Sequence, residues 1–354
     1  MMKPVKDYLE TCAGDGAFPG AAWAVGGREI FEMGAVGLLG PGLEAAGEDS
    51  LYDLASLTKL FVTLALLRQL EDGLIRLEDR VDYFLPSFRN FPLGETTLFR
   101  LLTHTAPLPG GTMLYRHAHT REDLLEAIRS IGLRRDEGVL YTCEAFILLG
   151  EIASAVDRMA LDELIRLRVT APLGMDETGY RPSPEKIGRI APTEDCPWRG
   201  RMLRGEVHDE NAAVMGGVSG NAGIFSCVRD MARLAAATLD SLEGRGTFLR
   251  RPTALLMSAN HTGGGGENRG LGWMVKGPLS AAGDLMTERS FGHTGFTGTS
   301  LWIDPESGLY AVLLSNRIHP RRDNPGIFRV RHIFHNLAIL QYGRGNREFD
   351  HGLV

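Results

Sequence analysis

The sequence predicts an α+β protein: an antiparallel sheet of about five or more strands, flanked by terminal helices, beside a mostly helical lobe. Two observations carry this prediction. Strand-like segments occur at both ends of the chain, and the region between them shows mostly helical periodicity. A chain of 354 residues also favours two packed units. We expect a discontinuous sheet domain from residues 1–58 and 268–345, a helical lobe from 59–267, and the functional site between them.

The N-terminal part predicts one helix and two strands. Residues 4–13 are expected to form the helix, with Pro4 near its start, where proline is tolerated. Ala21–Val25 and Glu29–Val36 are strand-like, and Gly26-Gly27 between them indicates a hairpin turn.

The rest of the chain predicts helices first and strands afterwards. Helical periodicity covers Glu122–Ser130, Glu144–Val156, Leu161–Val169 and Arg229–Leu242. The glycine run 263–266 then predicts a flexible loop, since no helix opens after it. Strand-like segments follow at Leu271–Lys276, Ser290–His293, Thr299–Ile303 and Leu309–Ser315, with a turn over 304–308. A final helix is expected over 326–342.

Ser56-Leu57-Thr58-Lys59 is the most informative stretch, because it places a hydroxyl and an amine three residues apart at a helix start. Residues at i and i+3 share a helix face, so Lys59 can reach Ser56. A serine needs a neighbouring base to become a nucleophile. Leu60–Leu70 is apolar almost all the way round, which predicts a buried helix, and burial favours a neutral amine.

The tetrapeptide alone is weak evidence, because Ser183-Pro184-Glu185-Lys186 has the same pattern. That second copy is polar and proline-flanked, so we interpret it as a surface loop. For Ser56 itself the alternative is a helix-capping serine with a solvated lysine.

Three other groups of residues are candidates for chemistry. Tyr141 precedes a helix and could act as a general base, or simply pack at the helix entry. The glycine-rich Gly292–Gly298 could present N–H groups to an oxyanion, or form an edge bulge. His104 and His117-Ala118-His119 invite a metal, but no third ligand stands out, so we expect neither metal nor cofactor.

Composition limits the classes of function. The net charge of −6 argues against a general nucleic-acid binder, since phosphate binding needs a basic surface. Cys12, Cys143, Cys196 and Cys227 have neither metal-like spacing nor the density of a disulfide scaffold. Apolar runs are too short for a membrane span, and no signal peptide is visible, so we expect a cytoplasmic protein with no membrane partner.

Three motifs, in order, resemble those of the serine β-lactamase and penicillin-binding-protein superfamily, above all its class C β-lactamase-like esterases and peptidases. Ser56 and Lys59 match Ser-x-x-Lys, Tyr141 with Cys143 matches Tyr-x-Asn, and His293-Thr294-Gly295 matches Lys-Thr-Gly or His-Thr-Gly. Leu102-Thr103-His104-Thr105 also looks like a family loop. The resemblance covers residues 18–340 and implies a β-lactamase-like fold.

The resemblance also implies roles for these residues. Ser56 would attack an acyl carbon and form an acyl-enzyme, with Lys59 and Tyr141 sharing the proton transfers. The backbone N–H groups of Ser56 and Phe296 would form the oxyanion hole. The substrate would be bound by Cys143 together with His293, Thr294 and Gly295.

Two departures from the family pattern narrow the expected activity. Cys143 lacks the amide of the usual asparagine, which puts β-lactam hydrolysis in doubt. His293 replaces the lysine, and a histidine with a pKa of about 6.5 is mostly neutral at pH 7, so it would grip a carboxylate weakly. We therefore expect an esterase, peptidase or amidase more than a β-lactamase. Residues 208–226 resemble bacterial enzymes that trim amino acids from muropeptides.

The leading hypothesis is thus a serine hydrolase acting on a small ester, amide or peptide. Its rival is a binding protein or penicillin-binding-like sensor on the same scaffold, which acylates without turnover or not at all. Arg317 could bind a substrate acid, although an ordinary surface arginine is the simpler expectation. The partner we expect is a small-molecule substrate, and the sequence leaves the oligomeric state open.

Overall fold

The structure, a computed structural model, describes residues 4–135, 138–263 and 267–343. Residues 264–266 of the expected glycine loop, and residues 1–3 and 344–345 of the expected sheet domain, lie outside these ranges. The division into two domains stays a prediction.

A six-stranded antiparallel sheet dominates the described residues and confirms the expected fold class. Its strands have the spatial order β2-β1-β11-β10-β9-β8. They are β1 (Gly20–Gly26), β2 (Ile30–Gly37), β8 (Met274–Val275), β9 (Phe291–Thr294), β10 (Ser300–Asp304) and β11 (Leu309–Ser315). The central strands β1 and β11 are buried along their whole length, as expected for runs with almost no polar side chains.

Each face of the sheet packs on helices. Trp23 and Trp302 point to the face covered by α1 (Val5–Gly14) and α11 (Gly326–Tyr342). Alternate residues of the same strands, such as Ala24 and Ile303, join the larger core on the other face. The alternation follows from the two-residue period of a strand.

The larger core is built mainly from the central helices. These are α2 (Thr58–Glu71), α3 (Val81–Phe84), α4 (Leu98–Leu102), α5 (Arg121–Arg129), α6 (Cys143–Asp157), α7 (Leu161–Ile165), α8 (Glu210–Val214), α9 (Val228–Leu242) and α10 (Arg251–Ser258). The helix α9 packs directly on β1 and β11. Within the described ranges, no helix is both long and apolar enough to cross a bilayer.

Two small sheets complete the described strands. One has the order β3-β7-β4, formed by β3 (Tyr52–Asp53), β4 (Gly179–Tyr180) and β7 (Ile224–Ser226). The other pairs β5 (Asp195–Cys196) with β6 (Arg201–Met202). The first sheet matters for the site, because β3 leads directly into Ser56.

Three element predictions need correction. The strand expected over 271–276 shrinks to β8, because the chain turns at Gly272 (φ +72°), where a Cβ would lie 1.9 Å from Thr63 Oγ1. The helix expected over 161–169 ends at Ile165 and passes into a π turn, Arg166–Thr170, ahead of Pro172. Residues 184–189, expected to be a surface loop, form a short 3₁₀ helix.

One stability prediction follows from the helix that covers the sheet. His335 of α11 is fully buried, with Nδ1 2.7 Å from Ala281 O, and burial lowers its pKa to about 3. Because the unfolded chain binds the proton at a higher pH, stability falls as the pH drops below about 6.5. We expect the loss between pH 7 and 5 to be about 2 kcal/mol smaller in His335→Gln than in the native protein. Urea unfolding at both pH values measures this, and equal losses would contradict it.

Candidate active site

Ser56 lies in a short 3₁₀ helix, Ala55–Leu57, between β3 and α2. Ala55 has a φ of +47°, a left-handed conformation that is uncommon for residues other than glycine. Its N–H donates to Asp53 Oδ1 at 2.8 Å, which holds the turn in place. A strained residue therefore stands directly before the hydroxyl, a feature that often occurs at functional sites.

Lys59, in the first turn of α2, has no solvent-exposed surface. Its Nζ donates to Ser56 Oγ at 3.1 Å and to the backbone oxygen of Asn221 at 3.0 Å. The start of α2 is tied to β7, because Ile224 N donates to Thr58 Oγ1 at 3.2 Å. The amine thus lies against the hydroxyl, and the sequence-based alternative of a solvated lysine is wrong.

Tyr141, just ahead of α6, approaches the same oxygen atom. Its hydroxyl donates to Ser56 Oγ at 2.7 Å. The ring centroid lies 4.9 Å from Lys59 Nζ, 4.7 Å from the His104 ring and 5.9 Å from the His293 ring. A hydroxyl and an amine three residues apart therefore meet a phenol from a distant part of the chain, which is the arrangement needed to activate a serine.

The pKa of the Lys59 amine differs from the sequence-based expectation. Burial lowers its pKa, but the neighbouring Cys143 and Tyr141 raise it, and the net shift is upward. Burial also raises the pKa of the Tyr141 phenol and of the Cys143 thiol. Cys143 and Tyr141 raise the pKa of Lys59 only while they are ionised, and Lys59 in turn lowers their pKa values. The three groups titrate together, so a base forms only when this group as a whole gives up a proton.

Cys143 is the first residue of α6, and its Sγ accepts from Lys59 Nζ at 3.8 Å. The thiol therefore occupies a place beside the amine, as the second motif predicts. The side chain of Asn221 is also fully buried, and its Oδ1 accepts from Ser219 Oγ at 2.7 Å. Nothing in the local sequence singled out Asn221, because its link to Lys59 is made through a backbone carbonyl.

The turn after β9 is clamped to the backbone just before Ser56. Thr297 Oγ1 donates to Asp53 O at 2.7 Å, and Thr299 Oγ1 donates to Leu54 O at 3.0 Å. The two segments approach so closely that a Cβ on Gly295 would lie 2.5 Å from Leu54 O. Only glycine fits at Gly295, which precedes Phe296 and lies against the backbone of Leu54, two residues before Ser56.

Two buried arginines fix the orientation of this turn. Arg331 of α11 donates to the carbonyl oxygens of Gly295 at 2.6 Å and of Thr299 at 2.8 Å. In a trans peptide the N–H points away from the carbonyl, so this contact turns the Phe296 N–H in the opposite direction. Arg317, expected at the surface, is 5% exposed and donates to Phe296 O at 3.0 Å. Its side chain supports the turn instead of facing solvent.

His293 and Thr294 end β9 beside the serine site. The His293 ring is 2% exposed, and Thr294 N donates to its Nδ1 at 2.9 Å. Burial, Arg269 and Lys59 lower the pKa of His293 well below its usual value. The imidazole is therefore neutral across the physiological range and does not supply a positive charge for a substrate carboxylate.

His104 packs beside the serine site. Its ring packs on Tyr141 and Phe146, and its Nδ1 accepts from Thr142 N at 3.3 Å. No cluster of three or more His, Cys, Asp or Glu side chains suited to a metal occurs within residues 4–135, 138–263 and 267–343. The packing of His104 instead fixes the position of the Tyr141 ring.

Several known proteins are similar to this chain in sequence or in fold. A family model described as Beta-lactamase matches residues 5–334. A putative D-alanyl-D-alanine carboxypeptidase of Salmonella typhi is 30% identical over 315 residues, covering 80% of this chain and 73% of that protein.

Two solved structures share the fold. EstCE1, described as a hydrolase with promiscuous acyltransferase activity, superposes with a TM-score of 0.77 at 20% identity, covering 94% of this chain and 97% of its own. A class C beta lactamase from Rhodobacter sphaeroides superposes with a TM-score of 0.74 at 20% identity, covering 95% and 98%.

The contact between Tyr141 and Ser56 makes a direct prediction. Tyr141→Phe keeps the ring and its packing but removes the hydroxyl that touches Ser56 Oγ. We expect the reaction of Ser56 with a fluorophosphonate to slow by about 100-fold, within the range usual for loss of a general acid or base. The labelling rate measures this. Tyr310→Phe, which changes a buried phenol of β11, is the control and should label at the native rate. Equal rates for both variants would contradict the role of Tyr141.

Proposed function

The chain belongs to the beta-lactamase family and is a serine hydrolase, and on that premise we propose that Ser56 forms an acyl-enzyme with a small ester or amide. The observation that carries the proposal is the position of Ser56 Oγ, 3.1 Å from Lys59 Nζ and 2.7 Å from the Tyr141 hydroxyl. These two contacts provide a route for the serine proton at the moment of attack.

In the proposed first step, Tyr141 has lost its proton to solvent, and its phenolate accepts the proton of Ser56 as Ser56 Oγ bonds to the acyl carbon, with Lys59 holding the pair in place. The carbonyl electron pair moves onto its oxygen. When the tetrahedral intermediate collapses, the bond to the leaving alcohol or amine breaks, and that group takes the proton back from Tyr141.

The oxyanion would be stabilised by the backbone N–H groups of Ser56 and Phe296. Support comes from the hydrogen bonds of Thr297 and Thr299 to the backbone before Ser56 and from the Arg331 contact to Gly295 O. Donors fixed in advance lower the barrier, because they need no reorganisation as charge develops.

In the second step, a water molecule takes the place of the leaving group. As its oxygen bonds to the acyl carbon, the water gives a proton to the Tyr141 phenolate. When the bond between the acyl carbon and Ser56 Oγ breaks, Tyr141 returns that proton to Ser56 Oγ and the acid is released. Thr294, His293 and Cys143 would line the substrate side of the cleft.

Neutral esters and amides suit this site better than acids do. His293, at the third-motif position, is kept uncharged, and Arg317 donates its hydrogen bonds to backbone carbonyls. A substrate carboxylate would therefore gain little binding free energy from either of these two side chains. Cys143 also lacks the amide of the family's usual asparagine, which weakens the case for β-lactam hydrolysis.

A second candidate is a carboxypeptidase acting on peptides that end in D-alanyl-D-alanine. The Salmonella relative favours it by its description, and muropeptide fragments would be substrates of this kind. An acylating sensor is the third candidate, since Cys143 replaces an amide beside Lys59.

Labelling and turnover together test the proposal. We expect a fluorophosphonate to label the native protein and p-nitrophenyl butyrate to be turned over, whereas Ser56→Ala loses both, with turnover reduced by at least about 1,000-fold. Ser183→Ala changes the serine of the other Ser-x-x-Lys sequence, which caps the 3₁₀ helix at 184–189, and serves as the matched control.

The outcomes separate the candidates. Labelling without turnover of esters or of a D-alanyl-D-alanine tripeptide would favour the sensor. Faster turnover of the tripeptide than of the ester would favour the carboxypeptidase. Native labelling that survives in Ser56→Ala would refute the proposed nucleophile.

A further inference from the structure

Arg269 is a buried arginine that the proposed mechanism does not use. It follows the glycine run and precedes β8, where an isolated bridge pairs it with Met274. Its backbone N–H donates to Thr262 Oγ1 at 2.9 Å, and its carbonyl accepts from His261 N at 2.8 Å. Only 2% of the residue is exposed, so its position is fixed by the surrounding chain.

The guanidinium of Arg269 is incompletely paired. One nitrogen, Nη2, bonds to Glu267, whose side chain is 34% exposed. The other two nitrogens, Nε and Nη1, are buried, and neither has a hydrogen-bond partner among the residues that the structure describes. Burial of a charge with so few hydrogen-bond partners costs folding free energy, which indicates that the guanidinium has a role beyond packing.

That charge lies against Tyr141. The guanidinium carbon is 5.2 Å from the centroid of the Tyr141 ring, about as close as Lys59 Nζ at 4.9 Å. After burial, Arg269 is the strongest influence that lowers the pKa of both His104 and His293, the two imidazoles beside the same ring. Its field therefore acts on the two imidazoles beside the phenol, and both stay neutral.

We propose that Arg269 is a positioning residue that gives Tyr141 a second neighbouring positive charge, and so makes its phenol able to accept the proton of Ser56. This rests on the proposed function, in which Tyr141 exchanges a proton with Ser56. A guanidinium over an aromatic face attracts the neutral ring and attracts a phenolate more strongly.

The neighbouring strand β9 supplies no such charge, because His293 is neutral. Arg269 belongs to the segment that leads into β8, and β8 pairs directly with β9, the strand of His293. A positive charge absent from one strand is thus supplied from the neighbouring segment.

The reaction needs no further reactant. When the resting site loses one proton to solvent, Tyr141 becomes a phenolate flanked by the two cations. The phenolate then takes the proton of Ser56 as the oxygen bonds to the acyl carbon, and returns it to the leaving group. The pH at which activity rises therefore reports the charge around Tyr141.

The test is the pH profile of kcat/KM for the neutral ester p-nitrophenyl acetate. In Arg269→Met, we expect the pH at which kcat/KM rises to increase by about one unit. This lowers kcat/KM about tenfold at pH 7.5, with KM nearly unchanged and the difference shrinking at alkaline pH. In Arg269→Lys, which keeps the charge, we expect values within about threefold of native.

Glu267→Gln provides the opposite change and does not depend on the folding of Arg269→Met. It removes the carboxylate that offsets the guanidinium, so we expect the profile to move to lower pH and kcat/KM at pH 7.5 to rise about threefold. A purely structural role for Arg269 would not produce shifts of opposite sign.

Two controls complete the design. Arg68→Met removes a guanidinium that lies 5.4 Å from the Phe248 ring, remote from Ser56, and should leave the profile unchanged. Adding Arg269→Met to Tyr141→Phe should produce no further displacement, because the effect acts through the phenol.

An active native enzyme with unshifted profiles in both Arg269→Met and Glu267→Gln would overturn the inference while leaving the proposed function intact. If Arg269→Met does not fold, an unshifted Glu267→Gln profile alone overturns it. A native protein whose Ser56 is not labelled would instead contradict the proposed function itself.

Discussion

A dry contact between a lysine amine and a serine hydroxyl is the constraint to which the surrounding structure is adapted. Lys59 Nζ has acceptors on three separate elements: Ser56 beside its own helix, Cys143 at the start of α6, and the carbonyl of Asn221 before β7. A buried ammonium is stable only when such acceptors surround it. The packing of α2, α6 and β7 is therefore also what determines the geometry of the nucleophile.

Features that depend on neighbours in sequence were predicted well. Ser56 and Lys59 are three residues apart on one helix, so their contact follows from helix geometry. The bounds of β11 and α11 coincide with their apolar patterns. The third motif also gave the correct strand for His293, since glycine and β-branched residues punctuate it clearly.

Features that depend on distant residues could not be predicted. The pKa of Lys59 was expected to be low because of burial alone. It is raised by a thiol and a phenol more than eighty residues away along the chain. Arg331 and Arg269 stand in ordinary surroundings in the sequence, and only the fold shows that they contact the Gly295 carbonyl and the Tyr141 ring. Gly272 likewise shortens β8 because of Thr63, a residue of α2.

The clamp between the turn after β9 and the backbone at residues 53–54 has a consequence for biosynthesis. The threonines that make it lie 244 and 245 residues after the carbonyls that they bind. A nascent chain on the ribosome therefore carries the hydroxyl long before the segment that completes its surroundings exists. A chain that stopped before Thr297 would hold the serine without that clamp.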